Sequence, residues 1–107
     1  MPLYRPNALN VVTKTATYSV APSDDVILCN TNAFTVTLPA ASAQPGRKIR
    51  IKKIGSDTNA ITIARAGSDT IEGATSYSLA SGAQYQGVTL ISDGSSIWYI
   101  ADHAQWL

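Results

Sequence analysis

Val36-Thr-Leu-Pro-Ala-Ala-Ser-Ala-Gln-Pro-Gly-Arg-Lys-Ile-Arg-Ile-Lys-Lys-Ile54 reads as the end of one strand, a loop of small residues, a Pro-Gly turn and a second strand. Phe34, Val36 and Leu38 alternate with Thr35 and Thr37, the pattern of a strand with one buried face. Pro39 has no amide proton to give to a ladder, so that strand ends before it. At Pro45-Gly46 the proline fixes one φ and the glycine is free to take a positive one, which makes a turn. Beyond it Ile49 and Ile51 point inward while Lys48, Arg50 and Lys52 form a basic stripe on the outer face, with Arg47 and Lys53 at its ends.

The same grammar runs outward in both directions. Val11 to Lys14 and Thr17 to Val20 read as short strands, and Val26 to Cys29 as an apolar strand covered on both faces. Ala60 to Ala64, Thr70 to Glu72, Tyr77 to Leu79, Gln84 to Ser92 and Ile97 to Ile100 follow. Turns fall at Ala21 to Asp25, Asn30 to Asn32, Gly55 to Asn59, Ala66 to Asp69, Ser81-Gly82 and Ser92 to Ser95. Gly-Ser-Asp-Thr occurs at Gly55 and again at Gly67, a spacing that suits a β-meander and is too short for a solenoid repeat. The fold class is therefore all-β: a compact antiparallel sandwich or barrel-like meander over Val11 to Ala101. An extended arm, Met1 to Asn10, precedes it and a tail, Asp102 to Leu107, follows.

The 107 residues allow one domain with one modest core. Only 14% of them are charged, against roughly 25% in an average soluble domain. Ser, Thr, Ala and Asn cover the surface instead, which suits partial burial by other subunits. The net charge of +1 gives no general attraction to nucleic acid or membranes. The single cysteine, Cys29, rules out an intrachain disulfide and fits cytosolic synthesis. No segment reaches the roughly 20 apolar residues of a membrane span, and the N-terminus has no signal-peptide core. Met1 followed by a coherent domain reads as a complete small gene product.

Catalytic chemistry has no foothold. His103 is the only histidine, no serine sits in a Gly-x-Ser-x-Gly setting, and no Cys-His pair has metal spacing. Asp24, Asp25, Asp57, Asp69 and Asp93 all fall in turns, where aspartate bonds its own backbone; no cofactor is implied. Lys48, Arg50 and Lys52 could contact an acidic surface or nucleic acid, but no aromatics interleave the charges as single-strand binding requires, so the stripe reads first as a solvated outer face that discourages edge pairing. Tyr77, Tyr85, Trp98, Tyr99 and Trp106 could line a sugar site, but aromatics in a small β domain serve first as core and interface anchors. Ile97-Trp-Tyr-Ile100 is apolar on both faces. One face fills the core, and the other, with Trp98 or Ile100, needs a subunit contact.

The ordered motifs carry a resemblance. Tyr18-x-Val20, Asp24-Asp-Val-Ile-Leu-Cys-Asn30, Phe34-Thr-Val-Thr-Leu-Pro-Ala-Ala41 and Pro45-Gly-Arg-Lys-Ile-Arg-Ile-Lys-Lys-Ile54 form one half. Asn59-Ala-Ile-Thr-Ile63, Asp69-Thr-Ile-Glu-Gly73, Tyr77-Ser-Leu79 and Val88-Thr-Leu-Ile-Ser-Asp-Gly-Ser-Ser-Ile-Trp-Tyr-Ile100 form the other. Together they resemble a β-rich module of tailed-bacteriophage structural proteins, found in tail fibres, tailspikes and small head-surface proteins. The resemblance implies a non-enzymatic virion protein, made in the host cytoplasm and displayed on the particle as a homotrimer. A chain with only a short arm and tail points to a capsid decoration protein held on the major capsid protein. Leu3, Tyr4 and Leu9 of the arm and Trp106 and Leu107 of the tail would be its clamps. The alternative is a tail-fibre or tailspike tip that recognises bacterial surface carbohydrate.

Overall fold

Alternating apolar residues set which side of each strand is buried, and the corners between strands set which sheet it joins. The computed structural model describes residues 8–79 and 84–105, with side chains as far as Ala101. Ten strands are present: β1 (Val11–Lys14), β2 (Tyr18–Ser19), β3 (Val26–Cys29), β4 (Phe34–Thr37), β5 (Lys48–Lys53), β6 (Ile61–Ala64), β7 (Thr70–Ile71), β8 (Ser76–Leu79), β9 (Gln86–Ser92) and β10 (Ile97–Gln105). Two sheets form, in the orders β1-β3-β5-β9-β10-β7 and β2-β4-β6-β8. No helix among the described residues is long and apolar enough to cross a membrane.

The chain is all-β and its two sheets share one core, a sandwich-like arrangement. From the larger sheet Ile27, Cys29, Ile49, Ile51, Val88, Leu90 and Trp98 point inward. Phe34, Val36, Leu38, Ile61, Ile63 and Leu79 meet them from the smaller one. Burial of this apolar area, at roughly 25 cal/mol per Å², is the main force holding the sheets together.

Strand direction departs from the antiparallel meander. β1, β3 and β5 run parallel, as do β2, β4 and β6. The reason lies at the corners. Each of the first turns carries the chain across to the other sheet instead of back beside the strand it has left. The in-sheet neighbour is then two strands along and points the same way, so the chain winds as a short two-layer coil. Antiparallel strands close it: β8 on β6, β9 on β5, and β10 on β9 through the turn after Ser92. The two Gly-Ser-Asp-Thr turns flank β6 and are sheet-to-sheet crossings, not meander turns.

Two further expectations need correction. β3 is not fully covered: Ile27 and Cys29 are buried, but Val26 and Leu28 on its outer side are only half-buried. Lys53 does not extend the basic stripe. It occupies the inward parity of β5 after Ile49 and Ile51, is almost wholly buried, and bonds Asp57 Oδ1 at 2.7 Å and the Gly55 carbonyl at 3.2 Å. This ion pair closes the end of the core under the 55–59 loop.

Candidate interaction face

The outer face of the larger sheet collects the side chains that the core does not explain. Ladder register defines the rows across it. Val11, Val26, Arg50 and Thr89 form one, and Lys48, Ile91 and Tyr99 form another. Lys52 lies beyond Arg50 on the same face, with its Nζ 6.0 Å from the centre of the Tyr85 ring. Tyr85 holds a left-handed backbone, φ 68°, and its amide donates to the Lys53 carbonyl at 2.7 Å. A bulky residue pays for that conformation, and here it fixes the ring outward beside the lysine.

At the end of the face near the arm, Leu9, Asp25, Lys48 and Arg50 line an open cleft of about 150 Å³. Asn10 anchors this corner. Its backbone amide donates to Asp25 Oδ2 at 2.7 Å, its side-chain amide to the Ser23 carbonyl at 2.9 Å, and its carbonyl accepts from Asp25 and Val26. Pockets for drug-sized ligands measure roughly 300 Å³ or more, so this cleft suits a single side chain better than a cofactor.

Leu9, Val11, Tyr85 and Tyr99 are the large apolar side chains exposed among the described residues, each between 48% and 50%. All four stand on this face or at its margin, beside Lys48, Arg50 and Lys52. Register spreads them over the face, with Val11 on β1 and Tyr99 on β10 four strands apart and the cations of β5 between, which makes the face the candidate interaction surface. The aromatics absent from the sequence of the stripe itself are thus supplied by neighbouring elements.

Other candidates fall elsewhere. Trp98 is not at the surface: it is fully buried, and its Nε1 donates to the Pro39 carbonyl at 3.1 Å. Ile100 is half-buried and packs on the core. The outer side of β10 carries Ile97 and Tyr99 instead. Arg47 is turned into the fold, donating to the carbonyls of Ala21 (2.9 Å) and Asp24 and to Gln44 Oε1 (2.6 Å). Asp24 is buried and accepts from the Tyr18 hydroxyl and the Ala21 amide. That partnership raises the Tyr18 phenol above its usual value. Asp93 accepts from the amides of Ser95, Ser96 and Ile97, which hold its carboxyl below the usual range. No group of three His, Cys, Asp or Glu able to hold a metal occurs among the described residues. Tyr77 is half-buried against the core, well apart in the fold from Tyr99. Leu3, Tyr4, Trp106 and Leu107 lie outside the described residues, as does the Ser81-Gly82 turn, and the side chain of His103 is not described either. Neither a family model nor a curated protein sequence matches the chain.

Proposed function

We propose that this chain is a non-enzymatic structural protein of a tailed-bacteriophage virion. In this reading it is a decoration protein that binds the outer head surface as a homotrimer and stiffens the shell. The observation that carries it is the outer face of the larger sheet, where Leu9, Val11, Tyr85 and Tyr99 stand exposed among Lys48, Arg50 and Lys52. A small domain with one filled core gains nothing from that grouping unless a partner covers it. The low charge and the motif resemblance point the same way. The arm and tail act as clamps on the capsid protein. Quantitative staining of purified virions tests the reading. Hundreds of copies per particle support it, and absence from the particle removes it.

A second reading, a fibre or spike tip that binds bacterial surface carbohydrate, is favoured by Tyr85 and Tyr99. Two half-exposed rings on one sheet face are platforms on which a sugar can stack. A copy number in the tens on the same gel supports this reading over the first.

A further inference from the structure

We propose that the outer face of the larger sheet docks an extended acidic segment of another protein, and that one of its carboxylate side chains enters the cleft of Leu9, Asp25, Lys48 and Arg50. The inference rests on the reading of the chain as a protein that binds a partner, and adds which surface does so and what it binds.

Charge and spacing identify the occupant. Lys48, Arg50 and Lys52 alternate along β5, so successive cations are about 6.6 Å apart, twice the rise of a strand residue. An extended peptide with acids at every second position has the same repeat and can oppose Lys48 and Arg50 in succession. The cleft, about 150 Å³, admits one such side chain, with Leu9 against its methylenes and Lys48 and Arg50 at its carboxylate. Asp25, whose Oδ2 accepts from the Asn10 amide at 2.7 Å, lines the same cleft and offsets one of its two cations, so Lys48 and Arg50 leave it one positive charge in excess.

The same features disfavour other occupants. Two copies of this face meeting about a two-fold axis would set Lys48 and Arg50 against the same cations of the other copy, which opposes association. Nucleic acid asks for a broader basic field than a chain of net charge +1 offers.

The test uses the full chain and four probes: the peptide Thr-Glu-Val-Glu-Val-Glu-Thr, its lysine counterpart, a polygalacturonate and an oligothymidylate. Fluorescence anisotropy reads affinity, and amide chemical shifts of the labelled wild-type protein locate the contact. The glutamate peptide should bind best and weaken with added salt. Its amide shifts should fall on β5, β9 and β10, and Arg50→Glu should lower its affinity about tenfold or more, the scale of one lost charge pair. Circular dichroism checks that Arg50→Glu is folded, and the wild-type shift map stands by itself if it is not.

Equal binding of the lysine peptide, tighter binding of either polyanion, or shifts confined to another surface overturns the proposal. Virion staining is read separately. A chain that binds the peptide at this face but is absent from virions keeps the docking face and loses the decoration reading. A chain abundant on virions that ignores the peptide loses the docking face alone.

Discussion

At the scale of single residues, two buried groups make the energetics measurable. Cys29 is fully buried at the inward parity of β3, and burial pushes its thiol from 9.0 up to about 12, with Lys53 only partly offsetting this. Its folded pKa is raised, so its contribution is fully present below about pH 9 and is lost as pH climbs toward 12, where the unfolded chain ionises first. At about pH 10.5 the loss should be on the order of 2 kcal/mol. Urea midpoints near pH 8 and near pH 10.5 check this. The wild type should lose more than Cys29→Ala, and equal losses would mean the thiol is not desolvated. Tyr18, also raised, titrates in both proteins and cancels in the difference. The second group is the Lys53–Asp57 pair. Removing Asp57 leaves a buried ammonium without its counter-ion, whereas removing Lys53 removes the buried charge itself. Asp57→Ala should therefore lower the urea midpoint further than Lys53→Met. The Lys53 ammonium, followed by the Asn59 amide, also holds the Asp57 carboxyl below its usual range. That contribution is present above the unfolded carboxylate pKa and is lost as pH falls through the folded one. The reverse order of midpoints would show that Asp57 is dispensable.

At the scale of elements, the two turns most visible in the sequence prove to be one assembly. The Gly46 amide donates to the Ser92 carbonyl at 3.3 Å, the Ser92 amide to the Arg47 carbonyl at 2.9 Å, and Ser92 Oγ to the Gln44 carbonyl at 2.9 Å. Pro45 packs on Gly94 so closely that a Cβ there would sit 2.9 Å from the proline Cβ. Gly46 has φ 74° as its place after Pro45 predicts, with open space around it, so Gly46→Ala costs only backbone strain, about 1 kcal/mol. Gly94 has φ 82° and also the clash, so Gly94→Ala should cost about 2–4 kcal/mol. Thermal melts of the two variants check the order, and equal losses would show that the corner yields freely. Strand positions and inward residues were legible because alternation is local: Ile49, Ile51, Ile61, Ile63, Val88 and Leu90 are all inward. Sheet membership was not, because a Pro-Gly or Asn-Thr-Asn turn encodes a bend and not the sheet it leads to. The candidate face was half legible. The stripe on β5 follows from parity, but Tyr99 and Tyr85 join it only through β9. One clue was available. With Val88 and Leu90 inward, Ile91 must face out, and the hairpin after Ser92 places Tyr99 opposite it. Lys53 was misread because a lysine in an inward position looks like surface until its partner, Asp57, is seen.

At the scale of the whole molecule, assembly can be tested without disturbing the fold. Trp98 is the wrong probe. It fills the core, and truncating it costs about 3–5 kcal/mol, much of the roughly 5–15 kcal/mol that holds a small domain. The loss of a trimer in such a variant would only report unfolding. A better place for a subunit contact is the outer edge of β1, beyond which no further strand lies among the described residues. The carbonyls of Asn10 and Lys14 accept from Val26 and Asn30 on the β3 side, so the peptide groups of Val11 and Thr13 point away from the sheet. An unpaired edge invites another strand, and edge contacts can form a ring of three while leaving the basic outer face for a different partner. Light scattering of the wild type should then give three times the 11.3 kDa chain mass. Arg50→Glu and Tyr99→Ser, both on the outer face, should leave that mass unchanged. Thr13→Pro, which removes an edge donor, should reduce it toward the monomer while circular dichroism still reports β structure. A wild type that stays monomeric at high concentration, with no trimer on cross-linking virions, sinks the assembly claim. A trimer that dissociates on Arg50→Glu alone would instead put a second copy on the basic face and remove the acidic partner from it.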